Sequence, residues 1–128
     1  MPTKKTLLEY LKEARDIIAD IDNWTYARYA RDANGSEITP IDTQAVKWCA
    51  IGAMCKATNP IGDLRTRLRT RRDMRNALNK QANQLFEGRT LIELNDAKSD
   101  KPRIRHQNVL RVYEAAIAKE EKEPTNAH

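Results

Sequence analysis

Trp48-Cys49-Ala50-Ile51-Gly52-Ala53 is the stretch on which the fold turns. Behind the tryptophan come a cysteine, two alanines and a glycine, and Met54 and Ala57 continue the same face at helical spacing. A stripe of such small residues predicts a buried helix that a neighbouring helix approaches closely. Gly52 inside that helix costs about 1 kcal/mol against Ala, and a close backbone approach is the expected justification. Upstream, Ala45 and Val46 join the stripe. Asp42 predicts the helix start, its carboxylate accepting from free amides of the first turn. Asn59-Pro60 ends the helix, because the residue before a proline is driven out of the helical region.

Working outward, residues 4–21 predict the first helix. Leu7, Leu8, Leu11, Ala14, Ile17, Ile18 and Ile21 hold one apolar face, and Asp22-Asn23 breaks it. Residues 24–40 read as non-helical, with Asn34-Gly35 as a type I′ turn joining two short strands, Tyr26 to Ala30 and Ile38-Thr39. A third helix runs over residues 63–86, with Asp63 as its N-cap and Gly88 closing it. Its apolar arc is Leu64, Leu68, Met74, Leu78, Ala82 and Leu85. Thr90 caps a short turn, Leu91 to Leu94, before Asn95-Asp96. After a basic loop, residues 103–119 predict the fourth long helix, burying Val109, Val112, Tyr113, Ala116 and Ile117. The fold class is therefore mainly α, a compact bundle of four main helices with a short β-hairpin flap after the first. Residues 1–119 form one helical domain and residues 120–128 a frayed tail.

Trp24, the turn Ala30-Arg31-Asp32-Ala33-Asn34-Gly35, the run Trp48 to Ala53, and the pair Asn95-Asp96 together resemble a family of small uncharacterised bacterial and phage proteins. The shared signature is a Trp, an Ala-Arg-Asp-x-x-Gly turn, a Trp-Cys-Ala-x-Gly-Ala helix and an Asn-Asp pair. The resemblance covers most of the chain and implies the fold, with no activity attached. The arginine-dense third helix and the lysine-rich loop after Asn95-Asp96 depart from the pattern.

Composition narrows the function classes. At 128 residues with 40% hydrophobic and 32% charged residues, the balance is globular, and no apolar run approaches the length of a bilayer span. The N-terminus lacks the apolar core of a signal peptide, which points to the cytoplasm. Cys49 and Cys55 lie on different helix faces and read as free core thiols, and two histidines offer no metal-ligand spacing. No metal and no cofactor are expected. No nucleophile elbow, phosphate-binding glycine loop or His-Glu-x-x-His motif is present, so catalysis is not the expected role.

The net charge of +5 is uneven. Residues 64–111 carry thirteen Lys or Arg against five Asp or Glu, while the segments on either side are slightly acidic. Arg65, Arg67, Arg69, Arg71, Arg72 and Arg75 crowd into eleven residues. Arg65, Arg69 and Arg72 share one outward ridge, whereas Arg67, Arg71 and Arg75 fall on the apolar stripe, where guanidinium groups need partners such as Asp16, Asp20 or Glu93. Lys98, Lys101, Arg103 and Arg105 continue the basic character to the start of the fourth long helix, where cations oppose the helix dipole. The expected function is thus non-catalytic binding. A basic face made of Arg65, Arg69, Arg72, Lys98, Lys101, Arg103 and Arg105 would engage an acidic protein surface or a nucleic acid backbone. No membrane partner is expected, and a homodimer through the third helix is a further option. The alternative is a small-molecule or enzymatic pocket framed by Trp24, Arg31, Asp32, Trp48, Asn95 and Asp96. Each of these has a plainer reading as core aromatic, hairpin residue or turn cap.

Overall fold

The computed structural model describes residues 5–125. In chain order it contains α1 (Leu7–Ile17), a 3-10 turn (Ile21–Asn23), β1 (Ala30–Arg31), β2 (Lys47–Trp48), α2 (Ala50–Thr58), α3 (Leu64–Leu85), α4 (Leu91–Asn95) and α5 (Pro102–Lys122). The chain is mainly helical, with a small antiparallel strand pair after the first helix, as its periodicity predicts. Leu11 and Ala14 of α1, Ala53, Met54 and Ala57 of α2, Met74, Leu78 and Ala82 of α3, and Val109, Val112 and Tyr113 of α5 meet in one core.

Local chemistry moves several boundaries. The first helix begins at Leu7 because Thr6 and Glu9 form a capping box, each side chain taking the other's backbone amide. It ends at Ile17, and the Asp20 side chain then caps the 3-10 turn. The expected start at residue 4 lies outside the described residues.

The run Trp48 to Ala53 is not one helix. Lys47 and Trp48 are extended, paired with Arg31 and Ala30, and this pairing delays the helix until Ala50. Cys49 is the N-cap, its Sγ accepting from the Gly52 amide at 3.2 Å. Asp42, expected to start this helix, caps only a turn through the Gln44 amide at 2.8 Å, and Val46 is exposed.

The strand partner of Ala30–Arg31 is thus Lys47–Trp48, not Ile38-Thr39; on that side there is one isolated bridge, Arg31 to Glu37, and an Ile38 amide bond to the Ala30 carbonyl. The turn between them is also not type I′. Gly35 has φ +82° but Asn34 has no positive φ. The Asp32 carbonyl accepts from the Gly35 amide at 3.0 Å, and the Asp32 amide donates to the Ser36 carbonyl at 2.9 Å. This is a three-residue loop, a type I turn followed by a left-handed glycine. The Asp32 carboxylate fixes it by accepting from the amides of Asn34 and Ser36, both at 2.9 Å.

Asp63 caps α3 as expected, through the Thr66 amide at 2.9 Å. The apolar arc, however, is core only at Met74, Leu78 and Ala82, and Leu85 is half-buried. Leu64 and Leu68 are 57% and 53% exposed, because the first two turns of α3 outrun the bundle. Helix α4 is capped by Thr90 with Glu93 in a second capping box, and α5 starts with Pro102 in its first turn. It runs to Lys122, past the expected end at residue 119, and Glu120, expected in a frayed tail, is buried and accepts from the Thr125 amide.

Candidate functional site

Of the expected pocket residues, Trp24, Asn95 and Asp96 are joined by hydrogen bonds, whereas Arg31, Asp32 and Trp48 bond to other groups of the chain. Asn95, 1% exposed at the end of α4, is the centre. Its Oδ1 accepts from the Trp24 indole N–H at 2.8 Å and from the Ala50 amide at 2.9 Å. Its Nδ2 donates to the Thr25 carbonyl at 3.3 Å and to Asp96 Oδ1 at 2.9 Å. An amide side chain has two donors and two lone pairs, so nothing remains for a ligand. Asp96 Oδ1 also accepts from the Ala27 amide at 3.0 Å, holding a non-glycine residue at φ +67°.

Around this centre the start of α2 is closed from every side. Tyr113 donates its hydroxyl to the Ala50 carbonyl at 2.8 Å. The Tyr29 carbonyl accepts from the Cys49 amide at 3.1 Å and lies against Gly52, where a Cβ would sit 1.9 Å from the same oxygen. Gly52 is therefore required by a close approach, as its sequence position suggests. The approaching backbone belongs to the loop before β1, not to a neighbouring helix. Burial pushes the Cys49 thiol up to about 11 and raises the Tyr113 hydroxyl as well, so both stay protonated and uncharged at neutral pH. Both cysteines are free.

Arg31 and Asp32 do not pair with each other. Arg31 donates to Thr25 Oγ1 at 2.8 Å and to the carbonyls of Gly35 and Tyr26 at 2.9 and 3.1 Å, fastening the loop, while Asp32 organises the turn. Trp48 donates its indole N–H to the Pro40 carbonyl at 2.9 Å, and Lys56 lies over its ring. Two surface clefts lie elsewhere. One is on the outer face of α1. The other, about 380 Å³, lies between Leu7, Asn76, Ala77, Lys80, Ala116 and Lys119.

The expected basic face divides in two. Arg111 lies over the Phe86 ring, and Asp73 and Glu123 line the same cleft, so α3 and α5 run antiparallel. Arg72 is then level with the end of α5, while Arg103 lies twenty residues earlier, on the order of 30 Å away at 1.5 Å per residue. Arg65, Arg69 and Arg72 are exposed at one end of the bundle, and Lys98, Lys101 and Arg103 at the other. Arg105, expected on that surface, is buried at 7% exposure. Its Nε donates to the Asp100 carbonyl at 2.9 Å and its guanidinium covers the Tyr26 ring, but Nη1 has no hydrogen-bond partner among the described residues.

The stripe arginines find uses other than the expected acidic partners. Arg71 donates from Nε to Thr58 Oγ1 at 2.7 Å and from Nη2 to the Cys55 carbonyl at 3.3 Å. It thereby sets a positive charge on the C-terminal end of α2, where the helix dipole favours one. Arg67 is half-buried and Arg75 is exposed. Among the described residues, Arg65, Arg67, Arg69 and Arg75 form no salt bridge, and Arg72 meets only its neighbour Asp73, at 3.3 Å.

Three contributors escaped the sequence reading. Thr25 and the hydroxyl of Tyr113 act on partners far along the chain, so no local signal marks them. His106 is buried, its Nε2 2.7 Å from the Ile18 carbonyl at the end of α1 and its ring 5.5 Å from that of Trp24. The unmet needs of a helix end are a signal for such a role, but not for which residue fills it. A family model matches residues 2–119, and the chain belongs to that family, a family of unknown function designated DUF6197. No curated protein and no solved structure matches it.

Proposed function

We propose, for this member of a family without an assigned activity, a non-catalytic binding role carried by the first half of α3. The partner is anionic, an acidic protein surface or a nucleic acid backbone. One observation carries the reading: Arg65, Arg67, Arg69 and Arg75 lack salt-bridge partners among the described residues, on a helix whose first turns outrun the core. A solvated charged face ordinarily mixes signs. Here residues 64–75 hold six arginines against one aspartate. Such a cluster attracts anions and gains by releasing their counterions. Lys98, Lys101 and Arg103 form a separate, smaller basic patch, and Arg105 serves the fold.

We read the protein as a cytoplasmic one of bacterial or phage type. Among the described residues, no helix is long and apolar enough to cross a membrane. A symmetric dimer through α3 is disfavoured by charge, since it would set arginines against arginines. A pocket at Trp24, Trp48 and Asn95-Asp96 has no comparable support, because the bonding capacity of Asn95 is filled within the chain.

The test is retention on immobilised heparin across a salt gradient. The parent should be retained, and Arg65→Gln/Arg69→Gln/Arg72→Gln should elute at clearly lower salt. Co-elution of the two would overturn the reading.

A further inference from the structure

We infer that the partner of α3 is an acidic amphipathic helix of another protein, and not a nucleic acid backbone; this rests on the anion-binding reading of α3. The selecting feature is apolar. Leu64 and Leu68 stand one helical turn apart on the projecting part of α3, each more than half exposed. At 3.6 residues per turn, Arg65 and Arg72 flank this pair on one side and Arg67 on the other. The arrangement is an apolar strip with a cationic rim, the anatomy of a protein interface, where a buried apolar centre is ringed by polar groups.

The two candidate partners reward this surface differently. A phosphate backbone offers oxygens to the arginines and almost nothing to the leucines, which would stay wet. A helix carrying apolar residues one turn apart, flanked by Asp or Glu, satisfies both rows at once. The charge complement is specific on the α2 side, since Arg71 is already committed to the end of α2 and leaves Arg67 as the cation on that flank. A second copy of this chain fits less well, because α3 against α3 brings like charges together.

The experiment uses the full chain and three probes in fluorescence anisotropy at low salt. They are a synthetic helical peptide with leucines one turn apart between glutamates, the same peptide with serine for leucine, and a duplex DNA. The leucine peptide should bind at least about tenfold more tightly than the serine peptide, the factor expected for burying one leucine side chain. Leu64→Gln/Leu68→Gln should abolish that preference while leaving heparin elution unchanged. Both leucines are exposed, so an unchanged melt will establish that the variant is folded. Equal binding of the two peptides would overturn the inference while leaving the anion-binding reading in place. So would tighter binding of DNA than of the leucine peptide by parent and variant alike. A mass in light scattering that doubles for the parent and not for the leucine variant would overturn it in favour of a second copy. Failure to bind heparin, peptide or DNA would sink both the inference and the reading beneath it.

Discussion

The knot around Asn95 and the first half of α3 are opposites in how they treat polar groups. At the knot, an indole, two backbone amides, a hydroxyl and a carboxylate find partners inside the chain. On α3, Arg65, Arg67 and Arg69 form no salt bridge among the described residues. The difference teaches that gathered polar residues are not in themselves a binding site. Where the chain satisfies its own donors and acceptors the gathering is architecture, and where it leaves them open an outside partner is needed.

The contrast breaks most easily at Gly52. Gly52→Ala places a methyl group on the Tyr29 carbonyl, and both are held by backbone bonds, so neither yields without opening the loop. Denaturation curves should show a loss of about 3 kcal/mol or more. A variant within error of the parent would mean that the loop moves aside freely and the knot is no knot. Next comes Asn95→Leu, which strands the Trp24 indole and the Ala50 amide in a dry interior. The expected cost is about 2–6 kcal/mol, at 1–3 kcal/mol for each of the two stranded groups.

The knot also predicts a pH dependence. The Cys49 thiol sits at about 11 in the fold against an ordinary 9.0, and burial is the main cause. The folded state therefore holds the proton longer than the unfolded chain does. Its contribution is complete below pH 9 and is lost as pH rises toward 11, by about 2–3 kcal/mol. Tyr113, raised for the same reason, acts in the same direction. Urea melts from pH 7 to 11 should fall in stability above pH 9, and Cys49→Ser should reduce the fall. A flat profile would contradict the dry environment assigned to this cluster.

On α3 the effects are smaller and divide by residue. Arg71→Gln removes the cap on α2 and should cost about 1.5–3 kcal/mol, as for a charged hydrogen bond. The ridge variant Arg65→Gln/Arg69→Gln/Arg72→Gln should stay within about 0.5 kcal/mol of the parent, because exposed charges contribute little to stability. If the ridge variant loses as much as Arg71→Gln, the ridge is structural and the comparison collapses.

The sequence was legible wherever the relevant partner lay within a turn or two. Asp63 and Thr90 announce their helices, and the apolar period of the last helix names Val109, Val112, Tyr113, Ala116 and Ile117 as core, which they are. It misled where a distant strand took precedence. Ala45 and Val46 keep helical spacing with Cys49, yet pairing with Ala30–Arg31 holds Lys47–Trp48 extended. The small-residue logic of Gly52 was sound, but only the fold reveals that the neighbour is a loop carbonyl. For the candidate site, residue types marked Trp24, Trp48 and Asn95 as belonging together, and hydrogen-bond accounting was needed to say what the gathering is for. Arg105 was misplaced because charge alone reads as surface, while its stem and guanidinium lie beneath Tyr26.

Asn95 also fixes an order of events. Its bonds reach back 71 positions to Trp24 and 45 to Ala50. Contacts of such separation form late, after local helical pairings have shortened the loops they must close. During synthesis, then, the first half of the chain waits. Its loop and the start of α2 still lack Asn95, which leaves the ribosome with α4, and the Tyr113 hydroxyl, which follows with α5. Until then the Tyr29 loop has no fixed seat, and the nascent chain exposes Trp24 and Trp48 together.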